Sequence, residues 1–195
     1  MRLVAETGQH PEQVCRACVR QVRRWSDNPW SRLLAIEALE PYAPPMREFS
    51  GRWIPAAIQS WARTLTFYRE PAGADAPGEL VASLPLTVAL GGGDCDDLAT
   101  AQATIALTLG LRARIGYLWT APDYAAAHIV CAVSPDWAGS PGWLIADPEV
   151  AEPADPGAWP GIRWFDCGRL LGDPTTEPTN AHRVRPAPYD RPWRR

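Results

Sequence analysis

Three residues far apart in the chain are of the types that thiol chemistry requires: Cys95, His128 and Asp147. A thiolate attacks an amide or ester carbonyl, an imidazole takes and returns the proton, and a carboxylate fixes the ring's tautomer and favours its charged form. The cysteine stands in GGGDCDDLATAQ (91–102), where three glycines run into a helix start. In a first helical turn the thiol meets the positive end of the helix dipole and unpaired N–H groups, which favour thiolate. The same N–H groups can receive an oxyanion. Asp96 and Asp97 act in the opposite direction, because their charge opposes thiolate formation. The helix alone therefore does not activate Cys95, and a cationic partner is required.

The chain has three histidines. His10 near the start and His182 in the Pro/Arg-rich end read as solvated. His128 opens HIVCAV, a run with strand character, and WLIAD (143–147) is a second such run. The intervening SPDWAGSPG is built of turn residues. If the two runs pair as an antiparallel hairpin with Val133 facing Gly142, His128 falls opposite Asp147 on the same sheet face, with Cβ atoms about 4.5–5.5 Å apart. A slip of one residue would turn them to opposite faces. Each residue also has an ordinary reading: a strand-end histidine that only hydrogen-bonds, an aspartate before Pro148 that starts a turn, a cysteine that is inert in a capped helix.

The elements that would position these groups fall into three zones. Residues 10–70 read as helices, PEQVCRACVRQVRRW, SRLLAIEALEPY and IPAAIQSWARTLTFY. In the first, Val14, Ala17, Cys18, Val22 and Trp25 recur at helical spacing and leave Arg16, Arg20, Arg23 and Arg24 on another face. A Pro/Gly/Ala-rich connector leads to the triple glycine. Residues 94–150 read helix, strand, strand, strand: Asp94 is a good N-cap with Asp97 three positions on, Leu98, Gln102, Ile105 and Leu109 continue the stripe that begins at Cys95, and Gly110 suits a left-handed stop. From 151 to 195 the chain reads as extended wrapping or tail, with a short strand at IRWF.

At 195 residues and 46% hydrophobic the chain can bury a core, and a single domain over 1–195 is the expectation. A net charge of −3 and a pI near 5.6 argue against nucleic acid as partner. No run suits a membrane span and the start lacks an apolar h-region, so the expected location is cytoplasmic, or inside a phage-like particle, without a signal peptide. Five cysteines cannot all pair internally, which suits a reducing setting. All 19 basic residues are arginine, and the ten tryptophans serve either packing or aromatic platforms for a ligand. Cys15 and Cys18 form a lone CxxC that helical spacing explains better than zinc, and Asp94, Asp96 and Asp97 lack the further ligands of a calcium loop. No metal and no cofactor are expected.

The stretch from 85 to 150, carried by GGGDCDDLATAQATIALTLGLRARIGY, HIVCAV and WLIADP, resembles the transglutaminase-like (papain-like) superfamily. SLPLTVALGGGDCDD looks like phage and prophage versions, and WARTLTFYREP resembles the family's upstream helix and aromatic strand. The resemblance implies an α+β fold: a papain-like core with N-terminal helices and a Cys-bearing helix packed on a small antiparallel sheet. It implies Cys95 as nucleophile, His128 as general base and acid, Asp147 as orienter, and a thioester intermediate. Gln59 and Trp61 are the two candidates for the family's upstream oxyanion donor. The family's aromatic shortly after the histidine is absent here, where Ile129, Val130 and Cys131 follow. Members include peptidases, amidases and protein cross-linkers, so the fold does not choose among them. Three readings stay open: a hydrolase of peptide or amide bonds acting on a peptide or protein substrate, an acyl transferase, and a structural or assembly subunit whose partners are virion or tail proteins.

Overall fold

The computed structural model describes residues 6–8, 10–42, 53–68, 79–119, 127–134, 142–159 and 161–168. The chain is an α+β protein. Its helices are α1 (Pro11–Trp25), α2 (Pro29–Leu39), α3 (Trp53–Ala62), α4 (Leu84–Leu90) and α5 (Cys95–Thr108). Its strands are β1 (Glu6–Gly8), β2 (Thr66–Phe67), β3 (Glu79–Val81), β4 (Gly92–Gly93), β5 (Arg112–Trp119), β6 (Ala127–Ser134), β7 (Leu144–Ile145) and β8 (Arg163–Asp166). The antiparallel sheet β7-β6-β5-β8 lies on one side of α5, and the other helices pack round its remaining sides. Two short pairs, β1 with β3 and β2 with β4, brace the rim.

Helix α1 begins where His10 accepts a hydrogen bond from the Glu12 N–H and Pro11 supplies a preset φ. It buries the spaced apolar residues from Val14 to Trp25 and leaves Arg16, Arg20, Arg23 and Arg24 exposed, as its periodicity requires. Helix α5 departs from the single inward stripe expected of it. Every residue from Asp96 to Ala106 is buried. Small side chains at Ala99, Ala101, Ala103 and Ala106 let neighbours approach on all sides, so α5 is the axis of the core rather than an amphipathic surface helix. It ends as Gly110 takes φ 80° while the Leu111 and Gly110 N–H groups donate to Ala106 and Leu107. That is the paired-bond stop which a left-handed glycine permits.

The connector expected between 69 and 90 also needs correction, since its second half holds β3 and α4. At the other end, the short strand expected at IRWF is β8, paired with β5 as an integral edge of the sheet. Of the C-terminal zone, residues 169–195, including His182, lie outside the described residues.

On β6, Ile129, Cys131 and Val133 face the main core around α5, while Val130 and Ala132 join Leu118 and Ile145 in a second cluster. Trp143, Trp159 and Trp164 cover that outer cluster, and the Arg112 and Arg114 guanidinium groups stack on Trp143 at 4.8 and 4.0 Å. Packing therefore accounts for these tryptophans. Among the described residues no helix is long and apolar enough to cross a membrane.

Candidate active site

The triple glycine has three separate reasons. Gly91 closes α4 in the left-handed region at φ 71° with open space about it. A side chain at Gly92 would strike the Thr66 carbonyl of the paired strand β2, and one at Gly93 would strike the Asp97 side chain. The close approach that these glycines permit is thus made by the protein's own groups. Asp97 accepts from the Ala82 N–H at 2.6 Å and from the Asp94 N–H at 3.4 Å, joining the entry of α5 to the segment before α4. Asp96 is fully buried, and its charge is felt by Cys15 and Cys18 of α1. Of the aspartates that fence Cys95 in sequence, Asp97 is thus engaged by backbone donors, while Asp94 and Asp96 stay beside the thiol.

The hairpin register differs from expectation by two residues. Val133 faces Leu144 and Ala132 faces Ile145, so opposed numbers sum to 277 where Val133 against Gly142 gives 275. Continued past Ile145, this register sets Asp147 level with Val130, and His128 meets it on the diagonal. A shift of two keeps both side chains on one face, and diagonal neighbours remain within reach of long side chains. The period-two pattern cannot separate two registers that bury the same face.

His128 Nε2 and Asp147 Oδ2 lie 2.9 Å apart, both residues buried. The other carboxylate oxygen accepts the Glu149 N–H at 2.9 Å. Burial alone would push the imidazole down. The hydrogen bond and charge of Asp147, aided by Glu149, outweigh it and hold His128 above the ordinary histidine value. The Trp159 ring lies 6.4 Å from the imidazole, centroid to centroid.

Cys95, His128 and Asp147 line one cleft, with Phe67, Leu98, Gln102 and Glu149 among the other walls. Three consecutive strand residues, His128, Ile129 and Val130, contribute to it. Successive strand side chains alternate between faces, so the cleft cannot rest on one face and must cross an edge of β6. The pairing explains which edge. β7 covers β6 only at Ala132 and Val133, with one further bond from the Ala146 N–H to the Cys131 carbonyl. The edge beside 128–130 is left to the cleft. No tryptophan of the described residues lines it; Phe67 is its aromatic wall.

The other four thiols are buried, and burial pushes each of them well up, whereas Cys95 is only half-buried. Cys15 and Cys18 belong to the core. Asp94, Cys95 and Asp96 bring one donor atom each to within 4.8 Å of one another, while Asp97 is turned away onto its backbone donors.

Neither oxyanion candidate lines the cleft. Both Nε2 hydrogen bonds of Gln59 go to carbonyls, of Asp147 at 2.7 Å and of Val150 at 2.7 Å, so its donors are spent. Trp61 packs against the main core and does not line the cleft. Sequence reasoning passed over Phe67 and Glu149 as cleft residues; Asp147-Pro148-Glu149, a turn with a carboxylate on either side of a proline, was the signal for the latter.

The chain is similar in fold to solved structures of Legionella pneumophila LapG. Against the calcium-bound form the TM-score is 0.49 at 18% identity, over 75% of this chain and 83% of that one. The EGTA-treated form gives the same TM-score and identity over 75% and 81%. A candidate cysteine protease from Cytophaga hutchinsonii gives 0.44 at 15% identity, over 75% of this chain and 50% of that one. No family model and no curated protein matches the chain.

Proposed function

We propose that the chain is a transglutaminase-like cysteine hydrolase of peptide or amide bonds. The supporting observation is one cleft lined by the half-buried thiol of Cys95 and a buried His128–Asp147 pair at 2.9 Å. In this reading the Cys95 thiolate attacks the substrate carbonyl carbon, and His128 gives a proton to the leaving amine as the C–N bond breaks. Water then adds to the thioester, its proton passing to His128, and the acid leaves as the thiol is restored. With Gln59 committed elsewhere, the first-turn N–H groups of α5 are the oxyanion donors. Asp147 holds the ring and supports its positive form.

The test is to incubate the full chain with a mixed peptide and amide library, quench in acid, and search for an acyl mass on the Cys95 peptide. An adduct at Cys95, absent in Cys95→Ala, is expected. His128→Ala should lower turnover by roughly 10²–10⁴-fold, the range of general acid–base catalysis. No adduct and no cleavage with any substrate would contradict the reading. Added amine that accumulates as a new amide would move the assignment to acyl transfer. The assembly reading has no specific observation in its favour.

A further inference from the structure

Helix α3 contributes nothing to the walls of the cleft, yet it reaches the turn that carries Asp147. Gln59, 2% exposed, donates to the carbonyls of Asp147 and Val150, both at 2.7 Å. One helical turn on, Arg63 Nη1 donates to the Ala151 carbonyl at 3.2 Å. Three carbonyls of a five-residue turn thus hang on α3 and the residue that follows it. Within the turn, the Val150 N–H returns to the Asp147 carbonyl at 3.2 Å, and the Glu149 N–H caps Asp147 Oδ1. Every oxygen of Asp147 has a donor, and Gln59 is the buried side-chain donor that comes from outside the turn, His128 aside. β7 ends at Ile145, where a bridge to Ala154 closes the base of the turn, and the Ala146 N–H still bonds the Cys131 carbonyl. Asp147 itself lies one residue beyond the ladder, where Gln59 ties its carbonyl to α3.

We propose that Gln59 is a positioning residue, a strut from α3 that sets the Asp147 carboxylate on His128. The inference rests on the triad reading for its functional meaning. A glutamine suits the task because its NH₂ group carries two donors that can serve two carbonyls at once, which a hydroxyl cannot. The titratable groups about His128 are Asp147 and Glu149 from the turn and Cys95 from α5, with uncharged Trp159 against the ring. Gln59 adds no charge to this set. Its effect on His128 must pass through the placement of Asp147.

The variant Gln59→Met removes both donors at similar volume. Two readouts apply to the full-length chain: the titration midpoint of His128 by imidazole NMR, and the rate at which iodoacetamide alkylates Cys95 across pH. The expected result is a lower His128 midpoint and slower Cys95 alkylation at neutral pH, on the order of tenfold, the size of one or two net hydrogen bonds. Arg63→Ala, at the exposed end of the strut, should leave the midpoint in place. A folded Gln59→Met with an unchanged midpoint and rate, whatever its thermal stability, would make Gln59 a packing residue and overturn the proposal. If Gln59→Met does not fold, Gln59→Asn keeps the amide one methylene short, and the same two outcomes decide. A midpoint that follows Gln59 in a chain that never acylates would sink the catalytic reading and leave the strut standing.

Discussion

A thiol among carboxylates is a poor nucleophile unless a cation is at hand to offset their charge. Here Asp97 is held by two backbone N–H groups, but Asp94 and Asp96 each keep a carboxylate oxygen within 4.8 Å of the thiol, and the imidazole that shares the cleft with Cys95 is bonded to Asp147. The imidazole balance is set by two opposed effects. Burial favours the neutral ring, and the Asp147 bond and charge favour the imidazolium strongly enough to prevail. Asp147→Asn removes the larger part of the favourable side and leaves Glu149 against the burial. The His128 midpoint should then fall, with less imidazolium at neutral pH, and NMR titration of the ring checks it. A midpoint that stays or rises would show that Asp147 does not govern the ring.

At the scale of elements, the junction between α4 and α5 is held by close contacts whose costs can be ranked. Gly93→Ala would drive a methyl group into the Asp97 side chain, and Gly92→Ala into the Thr66 carbonyl. Gly91→Ala meets open space and carries only the left-handed backbone penalty of about 1–2 kcal/mol. Chemical denaturation should therefore find Gly92→Ala and Gly93→Ala more costly than Gly91→Ala, because contacts this close put them at or above the upper end of the about 1–3 kcal/mol typical of overpacking. Asp97→Ala should cost about 1–3 kcal/mol, because it strips the buried Ala82 N–H of its acceptor. The same contacts explain what was legible in the sequence. α1 was readable from the helical spacing of Val14, Ala17, Cys18, Val22 and Trp25, and the limits of α5 because Asp94 and Gly110 punctuate them. α4 was not, since LPLTVAL is a seven-residue helix without a polar face and begins beside a proline, so it merged with the connector. The pairing of His128 with Asp147 was legible as a shared face but not as a register. A period of two fixes the side of a sheet and leaves shifts of two undecided. Gln59 drew notice as a donor in the right region, but only the fold shows that its donors point to the Asp147 turn.

At the scale of the whole molecule, the cleft lies where β7 stops short of covering β6, so the site depends on the sheet's incomplete edge as well as on the helix start. The chain's four other thiols are withdrawn into the packing around α1, β6 and β8. His128 links the site to global stability. Its folded value is raised above that of the unfolded chain, so its contribution is full below the unfolded value and is lost as pH rises through the raised one. Unfolding free energies across neutral pH should carry this His128-dependent decline, and it should vanish in His128→Gln. A decline that persists unchanged in that variant would assign the pH dependence to other groups. The central claim, that His128 acts on the thiol of Cys95, is tested most directly by the alkylation rates of the five cysteines. The native chain is treated with iodoacetamide at neutral pH, and each site is followed by mass spectrometry, with and without His128→Ala. Cys95 is expected to react well ahead of Cys15, Cys18, Cys131 and Cys167 and to slow sharply once the imidazole is removed. Equal rates at all accessible thiols, or a Cys95 rate indifferent to His128, would contradict it.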